Sequence, residues 1–300
     1  MFRSNLKLIF SFIALCLISL SISWWNRSRK EGLDPDMFRL PVDVRINEVS
    51  MKKGEVTLLL TGGPGGWRVN KQYSADLDRV RLLFAAMDRA RPRRLAGDSI
   101  ASKVQREAMM VQFRENENQI QSVLIWGDPQ SGSTWFMDPE KGIPAEMVIP
   151  GYRSSLTNLF SMMEEDWRDK RIFDFNWRNF VQLKMEFPSA SADGYTISVR
   201  DGLLSIGEVA ASDTTRLKEF MDVVQLLEAE SFIRVSNNQK DSLLRNKPES
   251  VLTISEVSGR KHELRLFDKG LALRDSMDLF KVGSGETRAL KLPRKAFQLR

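Results

Sequence analysis

Nucleophilic and metal chemistry needs thiols, imidazoles or carboxylates that converge, and this 300-residue chain holds one Cys and one His. Cys16 lies in an apolar run, and His262 lies in the polar stretch Gly259-Arg260-Lys261-His262-Glu263, which reads as a turn with a solvated imidazole. Cys/His zinc sites and Cys–His nucleophile pairs need clustered donors, so the count argues against both, and one cysteine forms no disulfide framework. The acids Glu164-Glu165-Asp166 could serve hydrolysis or hold a cation, but carboxylates at arbitrary spacing specify neither. Ser4-Asn5-Leu6-Lys7 has the Ser-x-x-Lys spacing of a lysine-activated serine, yet it precedes an apolar run instead of opening a helix in a cleft. Gly62-Gly63-Pro64-Gly65-Gly66 lacks the Gly-Lys-Ser/Thr ending of a phosphate loop and leads into Trp67-Arg68-Val69, so it predicts a tight hairpin turn. No catalytic, cofactor-binding or metal-ligating residue is assigned, and the chain reads as a non-enzyme.

What remains is the chemistry of recognition. Lys and Arg number 45 against 39 Asp and Glu, a net charge of +6. Between Arg79 and Glu107 eight cations face three carboxylates, so the excess sits in one patch while the rest of the chain is nearly balanced. A helix ending near Arg91-Pro92-Arg93-Arg94 explains part of it, because cations favour a helix C-terminus. Arg89, Arg91, Arg93 and Arg94 are the candidate contacts for anionic lipid headgroups or an acidic partner. Nucleic acid is not expected, since no reading module is present and the patch occupies one half of the chain. A second candidate set, rich in aromatics and arginine, comprises Tyr152, Arg153, Trp167, Arg168, Trp177 and Arg178, the composition favoured at interface hot spots.

These residues need elements to hold them. Leu8 to Trp25 is an uncharged apolar run that spans roughly 27 Å as a helix, close to the ~30 Å hydrocarbon layer. Trp24 and Trp25 close it as interfacial aromatics, followed by Arg27, Arg29 and Lys30. The run predicts a single-pass anchor over residues 1–25 that contacts the bilayer through 8–25. The N-terminus is then cytoplasmic and the bulk of the chain extracytoplasmic, although the flanking cations are nearly balanced. A cleaved signal peptide ending at Ser21-x-Ser23 is the alternative. Residues 26–41 read as a polar linker.

Beyond the linker the order of elements recurs. Val42, Val44 and Ile46 alternate as a strand, then Val56, Leu58 and Leu60, then the glycine turn into Trp67 and Val69. A helix follows with Leu77, Val80, Phe84 and Met87 on its apolar stripe, capped by Ser74 or Asp76. The same sequence of signals returns at Val181, Leu183 and Met185, at Tyr195, Ile197 and Val199, and at Leu204 and Ile206. Its helix carries Leu217, Phe220, Val224 and Leu227 behind Ser212 or Asp213. The offsets are 139 residues for the first two strands and 140 for the helix. A strand-turn-strand follows in each half, at 109–127 and 251–270, and short strands end both. Antiparallel meanders with one long helix per half give an α+β class, and the whole reads as a tandem duplication of an antiparallel-sheet-plus-helix unit behind one transmembrane helix. Its parts are a first repeat at 42–160, a Trp/Arg-rich junction at 161–179 and a second repeat at 180–300. Trp167, Phe173, Phe175, Trp177 and Phe180 are expected to pack where the halves meet, with Arg168, Arg171 and Arg178 pairing Asp166, Asp169 and Asp174.

The stretch Pro150-Gly151-Tyr152, the run Trp167-Arg168-Asp169 and Phe175-Asn176-Trp177-Arg178-Asn179 together resemble the bacterial domain-of-unknown-function 4340 family. The apolar N-terminus, the Val42 to Ile46 strand and the glycine turn into Trp67 extend the likeness over nearly the whole chain. The resemblance implies a membrane-anchored extracytoplasmic accessory or scaffold protein, contacting an ABC-type export or gliding-associated transport complex, with no catalytic residue to carry over. An anchored hydrolase or ligand-binding protein with a cleft between the halves is the alternative. A deep pocket with converging titratable groups would favour it.

Overall fold

The computed structural model describes residues 15–19, 21, 33–151, 155–200, 202–207, 209 and 211–299, and it divides into two units after Asp169. Of the predicted membrane run, residues 15–19 and 21 are helical with Leu15, Leu17 and Ile18 exposed, and the remainder lies outside the described residues. Among the described residues no helix is long and apolar enough to cross a membrane.

In the first unit, β1 (Glu48–Lys53) turns through Gly54, at φ +59°, into β2 (Val56–Gly63). Gly63 pairs with Gly66, so Pro64-Gly65 is the two-residue loop into β3 (Gly66–Val69), the hairpin that the glycines predict. Gly62 has a steric reason as well, because a Cβ there would meet the Trp67 ring at 3.0 Å. After β4 (Tyr73–Ser74), the Asp76 carboxylate accepts from the Asp78 and Arg79 amides and starts α1 (Leu77–Arg89). β5 (Arg91–Leu95), α2 (Asp98–Glu107), β6 (Met109–Glu115), β7 (Asn118–Gly127), β8 (Thr134–Met137) and β9 (Pro144–Val148) complete a nine-stranded antiparallel sheet, ordered β4-β3-β2-β1-β6-β7-β8-β9-β5. The α1 side of the sheet buries Val49, Leu60, Val69, Phe113, Ile125, Phe136 and Met147. On the opposite face α2 places Val104 against Trp126, Trp135 and Met137.

The second unit holds β10 (Phe180–Glu186), β11 (Tyr195–Arg200), β12 (Leu203–Ile206), α3 (Thr214–Gln225), β13 (Ser231–Phe232) and α4 (Asn237–Arg245). It closes with β14 (Ser250–Glu256), β15 (Lys261–Leu266), β16 (Leu271–Arg274) and β17 (Asp278–Lys281). Its sheet runs β12-β11-β10-β14-β15-β16-β17-β13, strand for strand the order of the first sheet without β4. Asp213 caps α3 as Asp76 caps α1, and Leu217, Phe220, Met221 and Val224 cover one face while Leu243 and Leu244 of α4 pack with Phe267, Leu273 and Leu279. The architecture is α+β, two antiparallel sheets with few helices.

Strand pairing sets the correspondence between the units. Val49 faces Leu60 and Phe113, and Leu183 faces Ile197 and Ile254. Followed along the ladders, Leu60 corresponds to Ile197, Val69 to Ile206, and Asp76 to Asp213, each pair 137 residues apart. The 137-residue spacing of these three pairs replaces the offsets of 139 for the second strand and 140 for the helix, Val49 and Leu183 of the first strands lie 134 apart, and the comparison exposes two misplacements. Val42 to Ile46 is not a strand, and Val42 is exposed; β1 lies further on, with Val49 and Met51 inward. In α1 the buried stripe is Val80, Leu83, Ala86 and Met87, while Leu77 is largely exposed and Phe84 only partly covered. Both stripes satisfy helical spacing, so the pattern alone does not choose between them.

Two further segments differ from expectation. Within the predicted polar linker, Phe38 is buried against Phe136 at 5.6 Å between ring centroids. Arg91 to Leu95, expected as a basic helix end, forms the edge strand β5, because Pro92 stops α1 and tolerates an edge.

Candidate functional site

The basic candidates gather at one corner of the first unit. Arg89 ends α1, and the Arg91 guanidinium donates to the Asp88 and Ala90 carbonyls, satisfying orphan acceptors of that helix end. Pairing of β5 with β9 shifts register between Pro92 and Arg94, which leaves Arg93 as the bulged residue, exposed to solvent. Arg94 Nε donates to Glu146 Oε2 at 2.6 Å, and the Ser133 hydroxyl donates to Glu146 Oε1 at 2.6 Å. The Glu146 side chain is 5% exposed while that of Arg94 is 65% exposed. Burial alone would raise the Glu146 carboxyl, but the Ser133 hydroxyl and the Arg94 guanidinium outweigh it and hold the group below its ordinary value. The Arg94 guanidinium also lies 5.4 Å from the centroid of the Trp135 ring. The corner therefore presents four guanidinium groups at a sheet edge, those of Arg91 and Arg94 held by neighbouring acceptors, and such groups suit anionic oxygens.

The aromatic candidates separate. Trp167 is fully buried in the first unit's core, and the Arg168 guanidinium, also buried, stacks 3.6 Å from the Tyr73 centroid. Neither is available at the surface, which corrects their place in an exposed patch. The backbone explains it: Asp76 N–H donates to Trp167 O and Asp169 N–H to Ser74 O, so this segment closes the first unit in front of α1. Phe297 does the same in the second unit, where Asp213 N–H donates to Phe297 O and Leu299 N–H to Ala211 O. Ile172, Phe173, Phe175 and Phe180 belong to the second unit's core. The supposed junction is thus the end of one unit and the start of the next, with its aromatics divided between two cores. Tyr152 and Arg153 lie outside the described residues.

Trp177 and Arg178 are exposed. The Trp177 ring packs edge-on to Phe180 with centroids 5.9 Å apart and keeps 43% of its surface in solvent. Beside it Val257 N–H donates to Asn179 O, and Val181 lies at the bulge where β10 leaves register with β14. Trp177, Val181, Val199 and Val257 lie at one end of β10, β11 and β14, all four partly exposed to solvent and Val257 the most.

The remaining chemistry-bearing residues are accounted for locally. His262 is not in a turn but on β15, with Nε2 3.4 Å from Glu256 Oε1 and Nδ1 3.3 Å from Asp275 Oδ2. A cavity of about 730 Å³ within the second unit is lined by Lys184, Glu186, Thr196, Val251, Glu263 and Arg265 among others, but Lys184 already pairs with Glu186 at 2.8 Å and Arg265 with Glu263 at 2.6 Å. Tyr195 also borders it; burial raises its hydroxyl. Among the described residues no three His, Cys, Asp or Glu side chains are placed to hold a metal ion.

Sequence reasoning missed Glu146 and the α2 face. The signal was present in Val123-Leu124-Ile125-Trp126, apolar on both parities, as a strand covered on both faces must be.

Fold and site together define an α+β protein of two units whose antiparallel sheets share one strand order. The family described as Domain of unknown function (DUF4340) matches residues 67–248, well over half of the chain, and the chain belongs to that family. No curated protein and no solved structure matches it.

Proposed function

We propose that the chain is a membrane-tethered, extracytoplasmic accessory or scaffold protein of a transport complex, ABC-type export or gliding-associated, built by tandem duplication of one sheet-plus-helix unit. The exposed apolar group of Trp177, Val181, Val199 and Val257 beside Arg178 carries this reading, because aromatic and arginine side chains exposed at a sheet end have the makeup of an interface anchor. The apolar run at 8–25 with its flanking cations supports the tether, and the shared strand order supports the duplication. The partner that fits is a membrane-embedded transporter subunit with an extracytoplasmic apolar surface.

Affinity purification from mild detergent tests the reading. The full chain is expected to retain a membrane protein at fixed stoichiometry, and Trp177→Ala to lose it while the chain stays folded. Recovery of a lone monomer, or equal retention by the variant, contradicts the proposal. A reporter fused after Arg300 is expected to be active outside the cytoplasm, and cytoplasmic activity would reverse the orientation.

A further inference from the structure

We infer that the basic edge formed by Arg89, Arg91, Arg93 and Arg94 rests on the anionic lipid headgroups of the membrane from which the chain emerges. The inference depends on the tether proposed above. Three observations carry it.

The first is where the chain enters the unit. Phe38 is buried against Phe136, and Arg39 Nε meets Asp88 Oδ1 at 2.8 Å, which pins the incoming chain beside Arg89. Trp25 and Phe38 lie 13 positions apart, a reach of about 45 Å even when fully extended. The incoming chain therefore meets the unit beside the corner that holds the arginines.

The second is that this position in the sheet does not require a basic strand. The edge strand in the same position of the second sheet, β13, pairs with β17 through Ser231 and Phe232 and continues into Ile233 and Val235, which pack inward. An apolar edge therefore completes this sheet as well as a basic one.

The third is the form of the edge. Pro92 has no N–H and Arg93 is bulged out of register, so β5 is a poor template for a further strand from a protein partner. It offers charge without a continuous ladder. Five cations (Arg39, Arg89, Arg91, Arg93 and Arg94) stand there against three carboxylates, Asp36 and Asp88 engaged by Arg39 and Glu146 engaged by Arg94. Diffuse positive charge on an interrupted edge suits a field of phosphate groups, where each arginine contributes about a fivefold gain in affinity.

The test uses the full chain reconstituted in nanodiscs of phosphatidylcholine alone and of phosphatidylcholine mixed with phosphatidylglycerol, read by amide hydrogen exchange. Exchange at residues 89–95 is expected to slow by about fivefold or more in the anionic discs and to return to the neutral value in molar salt, where the screening length falls to ~3 Å. The double variant Arg89→Gln/Arg93→Gln, which leaves the Arg94–Glu146 pair and the Arg91 cap in place, is expected to abolish the slowing while exchange in β6 and β7 stays unchanged. Carbonate extraction of the same membranes separates this inference from the tether. A chain that resists extraction but exchanges equally at 89–95 in both discs overturns the inference and leaves the tether standing. A chain that is extracted, yet still slows at 89–95 on anionic vesicles, overturns the tether and leaves the basic edge standing. Protection that requires a co-purified protein and ignores lipid charge overturns the inference in favour of an acidic protein partner.

Discussion

The two sheets end in edge strands at the same position of one strand order, and the two edges are unlike. β5 reads Arg-Pro-Arg-Arg-Leu and points two exposed guanidinium groups outward, whereas β13 is a two-residue strand followed by side chains that turn into the core. What both units share is what the fold demands: an aspartate cap before the long helix, a hydrophobic residue closing the unit at Trp167 or Phe297, and inward positions that pair across the same ladders. What only one unit has is free to serve function. By that measure the exposed Arg89 and Arg93 at the basic edge of the first unit and the exposed Trp177 group in the second stand apart from the scaffold.

The comparison breaks most readily at the two closing aromatics. Trp167→Ala and Phe297→Ala each remove a fully buried ring and should each cost about 3–5 kcal/mol. Hydrogen exchange should rise in β1, β2 and β6 for the first variant and in β10, β11 and β14 for the second; loosening of the opposite unit would deny the equivalence.

A smaller effect is expected at the edge. Arg94→Ala leaves the buried Glu146 carboxylate with the Ser133 hydroxyl alone, at a cost of about 1–2 kcal/mol after allowance for the exposure of Arg94. Because the folded carboxyl is held below its ordinary value of 4.5, the pair contributes fully above that pH, and the contribution fades as pH falls through the depressed folded value. Denaturation of the parent chain and of Glu146→Gln should therefore converge as the solution is acidified below pH 4.5. A gap that stays constant down to low pH would remove Glu146 as its source.

Asp76→Ala and Asp213→Ala test the shared part more finely. Both carboxylates accept two amides at a helix start, so each variant should lose about 1 kcal/mol by chemical denaturation. Markedly unequal losses would show that the two caps are not doing the same job. The smallest change should come from Arg89→Gln/Arg93→Gln, within about 0.5 kcal/mol of the parent, since both side chains stand in solvent. A larger loss would make the basic edge structural.

Much of this was legible in the sequence. Period-two alternation placed β2, β3, β10, β11, β14 and β15, and the glycine pair around Pro64 placed a hairpin. Other features were ambiguous for physical reasons. Val42, Val44 and Ile46 alternate as convincingly as Val49 and Met51, and only pairing with β2 and β6 selects the second set. The strand β5 carries no apolar alternation because Arg93 and Arg94 face water, so it read as the end of α1. Helix α2 buries a single residue, Val104, which is too little periodicity to announce a helix. At the candidate site, Trp177 and Arg178 were recognisable by composition. Trp167 and Arg168 share that composition but lie inside, and composition does not distinguish a buried aromatic from an exposed one. Glu146 was invisible, since a carboxylate is marked as buried only by the hydroxyl and guanidinium that fold onto it.

The most direct measurement places a photoreactive residue at position 93 and, in a separate sample, at position 234 of the other edge, in the full chain in its own membrane. Lipid adducts from position 93 and none from position 234 are the predicted result. Equal lipid adducts from both positions, or protein adducts alone from position 93, would contradict the account.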